Sequence, residues 1–385
     1  MEAYLDNAAT TRCSARVQEL VKQTMDADFG NPSSMHRKGF EAECQVRQAA
    51  DKIAKTLKVS EKEIIFTSGG TESNNLALIG AAMANQRLGR RLITTQVEHA
   101  SVLRTMEYLQ EQGFEVLYLP VNNEGIVDLD ALREAVDAQT VLVSVMQVNN
   151  EVGAVQPVAL AADIVHRQSP QALFHVDAVQ SYGKMLIRPK KLGVDLLSVS
   201  GHKIHAPKGV GFLYKREKAK ISPILFGGGQ QAGMRSGTYN VPGIAGIGEA
   251  AAQAYENIEA NVRHMRQLKE RLLAQAASIE GVVRNGGGSE SESAPHIVNL
   301  SFPGVRSEVL LHALEESHIY VSAGSACSSS HPTASHTLKA MHTAPQLLES
   351  ALRFSFCADT RQEEVDAAAA KLQELVPKLR RYTRR

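Results

Sequence analysis

Seven short apolar runs rich in β-branched residues, Glu63–Thr67, Arg91–Thr95, Glu115–Leu119, Thr140–Met146, Ala172–Val176, Asp195–Val199 and Gly209–Tyr214, recur with helical stretches between them. A strand followed by a helix and another strand implies a right-handed crossover, so the alternation predicts an α/β fold with a mainly parallel sheet covered on both faces. In such a sheet, ligand groups collect just past the carboxyl ends of the strands, where loops and helix N-termini converge. Ahead of the first run, Val17, Leu20, Val21 and Met25 recur at helical spacing over Ala15–Phe29. A second helical run covers Phe40–Leu57, with Phe40, Cys44, Ile53 and Leu57 among its apolar members and Cys44 expected in the core.

Past Pro242 the pattern changes to one long helical stretch, Ile244–Ala277, with Ile247, Ala251, Ile258, Met265 and Leu268 along a stripe. A strand at His296–Phe302, a helix at Ser307–Ser317, a strand at Ala351–Phe356 and a terminal helix from Arg361 follow, which predicts a smaller α+β domain. At 385 residues two domains are reasonable. The expected division is an N-terminal segment, 1–15, joining the small domain, a large domain at 16–245 and the small C-terminal domain at 246–385. Lys and Arg number 42 against 41 Asp and Glu, a net charge of +1, which leaves no global field for a nucleic acid or an anionic membrane. No basic stretch with an apolar run opens the sequence and no long apolar run follows, so neither an export signal nor a membrane span is expected. Cys13, Cys44, Cys327 and Cys357 are far apart and form no paired short spacing, which fits a reduced, cytoplasmic setting.

Three segments at strand ends carry chemistry. Thr67-Ser68-Gly69-Gly70-Thr71-Glu72-Ser73-Asn74 leaves a strand and opens a helix, an arrangement whose free amides favour a phosphate, though a plain capped turn has the same residues. Phe174-His175-Val176-Asp177 puts a carboxylate at the end of a buried strand, where it calls for a cation or strong donor unless it caps the next helix. Ser200-Gly201-His202-Lys203 puts an amine one strand–helix–strand step further on, and a buried lysine is the group that forms Schiff bases. Together they describe a site for pyridoxal 5'-phosphate (PLP): an anion cradle, a carboxylate for the pyridinium nitrogen and a lysine for the aldehyde. His99, following the Arg91–Thr95 run, is placed to lie against the ring.

Cys327 sits in a run of very small residues, Val321-Ser322-Ala323-Gly324-Ser325-Ala326-Cys327-Ser328-Ser329-Ser330, a composition that leaves its sulfur accessible for chemistry. Cys13 and Cys357 carry no such signal. Arg353 interrupts an apolar strand with a guanidinium suited to gripping a carboxylate, or to an internal ion pair. His331, His336 and His342 do not share a helical face, so no metal site is expected.

In these segments, and in Tyr4-Leu5-Asp6-Asn7-Ala8-Ala9-Thr10-Thr11, Val148-Asn149-Asn150-Glu151-Val152-Gly153 and Met234-Arg235-Ser236-Gly237-Thr238, the chain resembles the cysteine desulfurases, in order from Tyr4 to about Phe356. The resemblance implies the PLP-dependent aminotransferase fold of type I and an enzyme that converts L-cysteine to L-alanine, passing sulfur to Cys327 as a persulfide. It further implies delivery to a sulfur-acceptor protein in iron–sulfur cluster assembly or tRNA thiolation. Carried over by position, Lys203 would hold PLP, Asp177 would pair with its ring nitrogen and Gln180 would bond its ring hydroxyl, while His99 would stack on the ring and move protons. Gly70, Thr71, Ser200 and His202 would hold the phosphate, with Thr238 supplied by the second copy of a homodimer. Asn150 and Arg353 would orient the substrate, Arg353 on its carboxylate. The chain departs from the family pattern after Phe356, reading Cys357-Ala358-Asp359 where a glycine-bearing turn is common. Selenocysteine lyase or another class V PLP enzyme, and a catalytically silent sulfur-relay or scaffold protein, are the competing readings.

Overall fold

The computed structural model describes residues 2–323 and 335–383. The elements of the first two thirds are β1 (Ala3–Tyr4), α1 (Ala15–Asp26), α2 (Arg37–Leu57), β2 (Ile64–Thr67), α3 (Gly70–Asn85), β3 (Arg91–Thr95), α4 (Ala100–Glu111), β4 (Glu115–Leu119), α5 (Leu129–Ala135), β5 (Thr140–Ser144), α6 (Val158–Gln168), β6 (Leu173–Asp177), α7 (Pro189–Leu192), β7 (Leu196–Ser200), β8 (Gly211–Lys215) and α8 (Val241–Glu256). All seven expected strands join one sheet, in the order β2-β8-β7-β6-β5-β3-β4. Neighbours from β7 to β4 run parallel, and β8 is antiparallel to both β7 and β2. Successive residues face opposite layers, as the strand period requires. Leu142 and Leu196 pack with Leu76 and Ala77 of α3, whereas Val143, Phe174 and Leu197 pack with Val17, Ile53 and Ile247 of α1, α2 and α8.

The remaining elements are α9 (Ile258–Ala276), β9 (Val283–Asn285), β10 (Ile297–Ser301), α10 (Ser307–Glu315), β11 (Ile319–Tyr320), β12 (Ser322–Ala323), α11 (His336–Ala340), α12 (Pro345–Leu348), β13 (Ala351–Ser355) and α13 (Gln362–Thr383). An antiparallel sheet, β12-β13-β10-β9, carries Leu300, Leu352 and Phe354 into a second core with Leu268, Leu310 and Leu372. The N-terminus crosses to this core. β1 pairs with β11 in parallel, Asp6 bridges Ser355, and Ala3 and Leu5 are buried there.

Two local expectations are corrected. The single helix expected over 244–277 is two, because Asn257 adopts φ −132° and ψ 37°, outside the helical range. The stripe is shared accordingly, Ile247 and Ala251 going to the first core and Met265 and Leu268 to the second. Cys44 is only half-buried and Phe40 is exposed, while Ala42 between them is buried, so neither position lies on the core-facing side of α2. Met25, Phe29 and Met35 nearby are exposed as well.

One glycine fixes how closely the strands approach the first loop. A Cβ on Gly211 would stand 2.6 Å from the Val199 carbonyl oxygen and 2.7 Å from the Gly69 Cα. Both are main-chain atoms with no torsion to yield. Gly211→Ala is therefore expected to lower stability by about 1–3 kcal/mol, the usual range for overpacking, as read from urea denaturation midpoints. An unchanged midpoint would show that β8 can move away from Gly69.

Candidate active site

A cavity of about 1130 Å³ opens beyond the carboxyl ends of the central strands, and Gly70, His99, Asp177, Gln180, Lys203 and Arg353 all reach it. Its floor is the turn from β2 into α3. Gly69 has φ +155° and ψ −173°, a conformation in effect reserved for glycine, and as the N-cap it brings no side chain to the first-turn amides of α3. Thr67 Oγ1 bonds Ser73 Oγ (2.7 Å) and donates to the Gly69 carbonyl (3.1 Å), bracing the turn from beneath. At Gly70 a Cβ would come within 2.8 Å of Val179 Cγ2, so the backbone there lies hard against the loop after β6. Glu72, at the rim, is engaged by Arg235 (2.8 and 3.2 Å) and by the Ser68 amide (2.8 Å). Burial pushes its carboxyl up, but these partners outweigh that and hold it below the usual range.

Asp177 ends β6 and is 4% exposed. Its Oδ2 accepts from Asn74 Nδ2 (2.8 Å) and its Oδ1 from the Val179 amide (2.9 Å). Asn74 Nδ2 also donates to Ser101 Oγ (2.8 Å), which in turn meets His99 Nδ1 (2.8 Å). The network thus runs from β6 through α3 to the start of α4. His99 caps α4, its Nδ1 accepting the Ser101 amide (3.1 Å). Because a backbone N–H only donates, the proton of the neutral ring sits on Nε2. Burial lowers the His99 pKa, opposed by Asp177 and reinforced by Lys203.

On the opposite wall, Lys203 follows β7, and its Nζ donates to the carbonyls of Ala8 (2.7 Å) and Ala9 (2.5 Å). Gln180 Nε2 donates to the same Ala8 carbonyl (2.9 Å), while Gln180 Oε1 is buried without a partner. Thr11 Oγ1 donates to the His202 carbonyl (2.9 Å), and His202 Nδ1 bonds Thr10 Oγ1 (3.1 Å). Burial, with the charges of Lys203, Lys208 and Lys184, lowers His202 to about 4. Lys184 lies buried behind, its Nζ donating to the Lys203 carbonyl (2.8 Å), and burial brings it down to about 8.

Arg353 enters from β13. Its guanidinium donates to Asp6 Oδ1 (2.7 Å) and to the Asn150 carbonyl (2.8 Å), and its Nε is buried without a partner. Both sequence readings of this residue are therefore met in part: it forms an internal ion pair and it faces the cavity. Ser200 also lines the cavity, as do Thr71 and Asn150. Thr238 is exposed and is absent from the lining of this chain. Cys327 and His331 lie outside the described residues. Ser322, Ala323 and His336, on either side of that segment, reach the cavity. Asn74, Ser101, Ala8, Ala9 and Asp6 are functional neighbours that spacing alone did not pick out. Asn74 lies one helical turn past Gly70, which was the available signal.

Such a fold and cavity define an enzyme of the aminotransferase type, and the chain belongs to the aminotransferase class-V family, whose pattern matches residues 3–368. It is 40% identical over 380 residues to cysteine desulfurase IscS of Dictyoglomus turgidum, covering 98% of this chain and 95% of that one. It is 43% identical over 382 residues to cysteine desulfurase IscS of Klebsiella pneumoniae, covering 98% and 93%. A solved NifS-like protein superposes with a TM-score of 0.92 at 40% identity, over 98% of this chain and all of that one. Within the class-V family, the chain falls among the cysteine desulfurases.

Glu98, beside His99, is fully buried and accepts from Thr95 Oγ1 (2.8 Å) and the Met146 amide (2.9 Å). Burial, aided by the charge of Asp177 and opposed by those bonds, pushes its carboxyl up to about 8. A folded pKa above the unfolded one means that stability is fully present below about 4.5 and is lost as pH rises through about 8. Glu98→Gln removes this titration. Relative to the parent protein, the variant is expected to gain stability between about pH 5 and pH 8, measured by urea denaturation at both values. A pH-independent difference would show that Glu98 is ionised throughout.

Proposed function

We propose that this chain removes sulfur from L-cysteine, leaving L-alanine, and that Cys327 takes the sulfur as a persulfide. The observation that carries the reading is one cavity lined by Asp177, Lys203 and His99, at or just past the ends of three strands, and by Arg353 from within β13. The residues present fit PLP. The uncapped first turn of α3 suits its phosphate, with Gly70, Thr71, Ser200 and His202 around it. Buried Asp177 suits its ring nitrogen, and the orphaned Gln180 Oε1 faces the need for a donor such as the ring hydroxyl. Lys203 is the amine that would hold it. When bound, PLP supplies an electron sink that acidifies the hydrogen on the substrate Cα.

The chain's own groups do the rest. Asp177, fixed by Asn74, keeps a negative charge where a ring proton must stay. His99, neutral and protonated on Nε2, is the group that passes a proton across the cavity. Arg353 and Asn150 hold the substrate, Arg353 through its carboxylate. In sum, the carbon–sulfur bond of L-cysteine breaks, a sulfur–sulfur bond forms at the Cys327 thiolate, and the carbon gains the hydrogen that makes alanine. A thiolate is required because a neutral thiol attacks poorly.

A homodimer accords with Thr238, which is exposed here and would serve the phosphate of the second copy, and with the exposed Met25, Phe29, Met35 and Phe40. Among the described residues no helix is long and apolar enough to cross a membrane. A cytoplasmic setting and delivery to a sulfur-acceptor protein complete the reading.

The test mixes purified protein, PLP and L-cysteine and measures alanine and persulfide on Cys327. Both are expected in equal first-turnover amounts. Lys203→Ala should lose the visible absorption of bound PLP together with alanine formation, whereas Cys327→Ala should keep the absorption and lose sulfide release. Unimpaired turnover in Cys327→Ala would overturn the assignment.

A further inference from the structure

We propose that His205, Cys357 and Asp359 form a binding site for a single divalent cation of the zinc class, outside the cavity that contains Lys203. A ring nitrogen of His205, the Cys357 sulfur and a carboxylate oxygen of Asp359 lie within 4.8 Å of one another. Around a tetrahedral zinc ion, with bonds of about 2.0 Å to nitrogen or oxygen and about 2.3 Å to sulfur, such atoms stand about 3.5 Å apart. Asp359 is exposed, so closing that gap asks for a change in its side-chain torsions and not in the core. The donor set selects the ion. One imidazole, one thiolate and one carboxylate suit zinc, whereas magnesium and calcium take oxygen throughout. Three protein donors leave the fourth position to water.

His205 is prepared for this role by what surrounds it. Its Nδ1 bonds the Arg12 carbonyl at 2.9 Å. A carbonyl only accepts, so the proton is on Nδ1 and Nε2 keeps its lone pair. A backbone carbonyl in this position is the usual outer partner of a metal-binding imidazole, because it fixes both tautomer and ring orientation. The main chain is held as firmly. The His205 amide donates to Thr11 Oγ1 (2.8 Å), its carbonyl accepts from Ser14 (3.1 Å), and its φ of +67° is one that residues other than glycine seldom adopt. With Nδ1 on the Arg12 carbonyl the ring offers Nε2 to the ion, and the thiol gives up its proton to the solvent as the ion binds.

The position has a structural consequence. His205 lies two residues past Lys203, and Cys357 lies four past Arg353. A bound ion ties the loop of the lysine to the strand of the arginine, and both to the segment around Arg12.

The test uses full-length, PLP-loaded protein carrying Cys327→Ala, which removes the thiol assigned to sulfur transfer. Calorimetric titration with Zn²⁺ alone is expected to give one equivalent per chain. Co²⁺ as a coloured substitute is expected to give the intense visible bands of a four-coordinate thiolate centre. Cys357→Ser and His205→Phe should each weaken Zn²⁺ binding by more than the roughly 10–100-fold that loss of an outer partner causes. His205→Gln, milder in volume, gives the same readout if either of those variants fails to fold. Undiminished Zn²⁺ affinity in these variants, or no Zn²⁺ bound by the parent, overturns the proposal without touching the reading of the cavity.

Discussion

Everything around the cavity is arranged on the buried carboxylate of Asp177. A negative charge this far from water costs several kcal/mol unless donors meet it, and here the donors are the Asn74 amide and the Val179 N–H. Asn74 belongs to the helix whose N-terminus forms the floor, and its second bond passes to Ser101 and so to His99. Floor, back wall and imidazole are thereby one hydrogen-bonded unit. A shift in any of them would strand a buried polar atom, a penalty larger than the gain from most single contacts.

The facing wall has a different origin. Its two cations are held by the first nine residues of the chain: Lys203 by the carbonyls of Ala8 and Ala9, Arg353 by the carboxylate of Asp6. These residues are themselves seated on the second core. The Ser355 amide donates to the Leu5 carbonyl (2.7 Å), and Ser355 Oγ accepts from the Ala8 amide (2.8 Å). The same strand that presents Arg353 therefore positions the segment that grips Lys203. The anchoring proposed for substrate and for cofactor would share one support.

Much of this could be read directly from residue order. Short apolar runs rich in β-branched residues announced all seven strands of the large sheet, because most of them are buried on both faces and need such residues throughout, β4 being the partly exposed one. Asp177 and Lys203 stood out because charge at the end of an apolar strand demands a reason. β1, β11 and β12 are two residues each and have no period to detect. The break at Asn257 was hidden because Ile247 to Leu268 keep helical spacing straight through it, although the two halves serve different cores. Cys44 was misplaced because an apolar helix position was taken to face inward, whereas the buried side of α2 runs through Ala42, Ala49 and Ile53. Ala8 and Ala9 were beyond reach for another reason: a main-chain carbonyl carries no chemical signature until the fold sets it beside a charge, and for Asn74 the one signal was its place a helical turn past Gly70. The trio of His205, Cys357 and Asp359 likewise spans segments that only tertiary structure joins.

The docking of the N-terminus on Ser355 has a temporal side. Residues 3 to 9 are synthesised long before their hydrogen-bond and strand partners near 319, 353 and 355. Contacts of such long sequence separation form late and slowly. During synthesis the central sheet can assemble with its lysine loosely held, and the grip on that amine arrives only with the closing strands. The hold of Ala8 and Ala9 on the Lys203 amine is in this way withheld until the strand that carries Ser355 has joined its sheet.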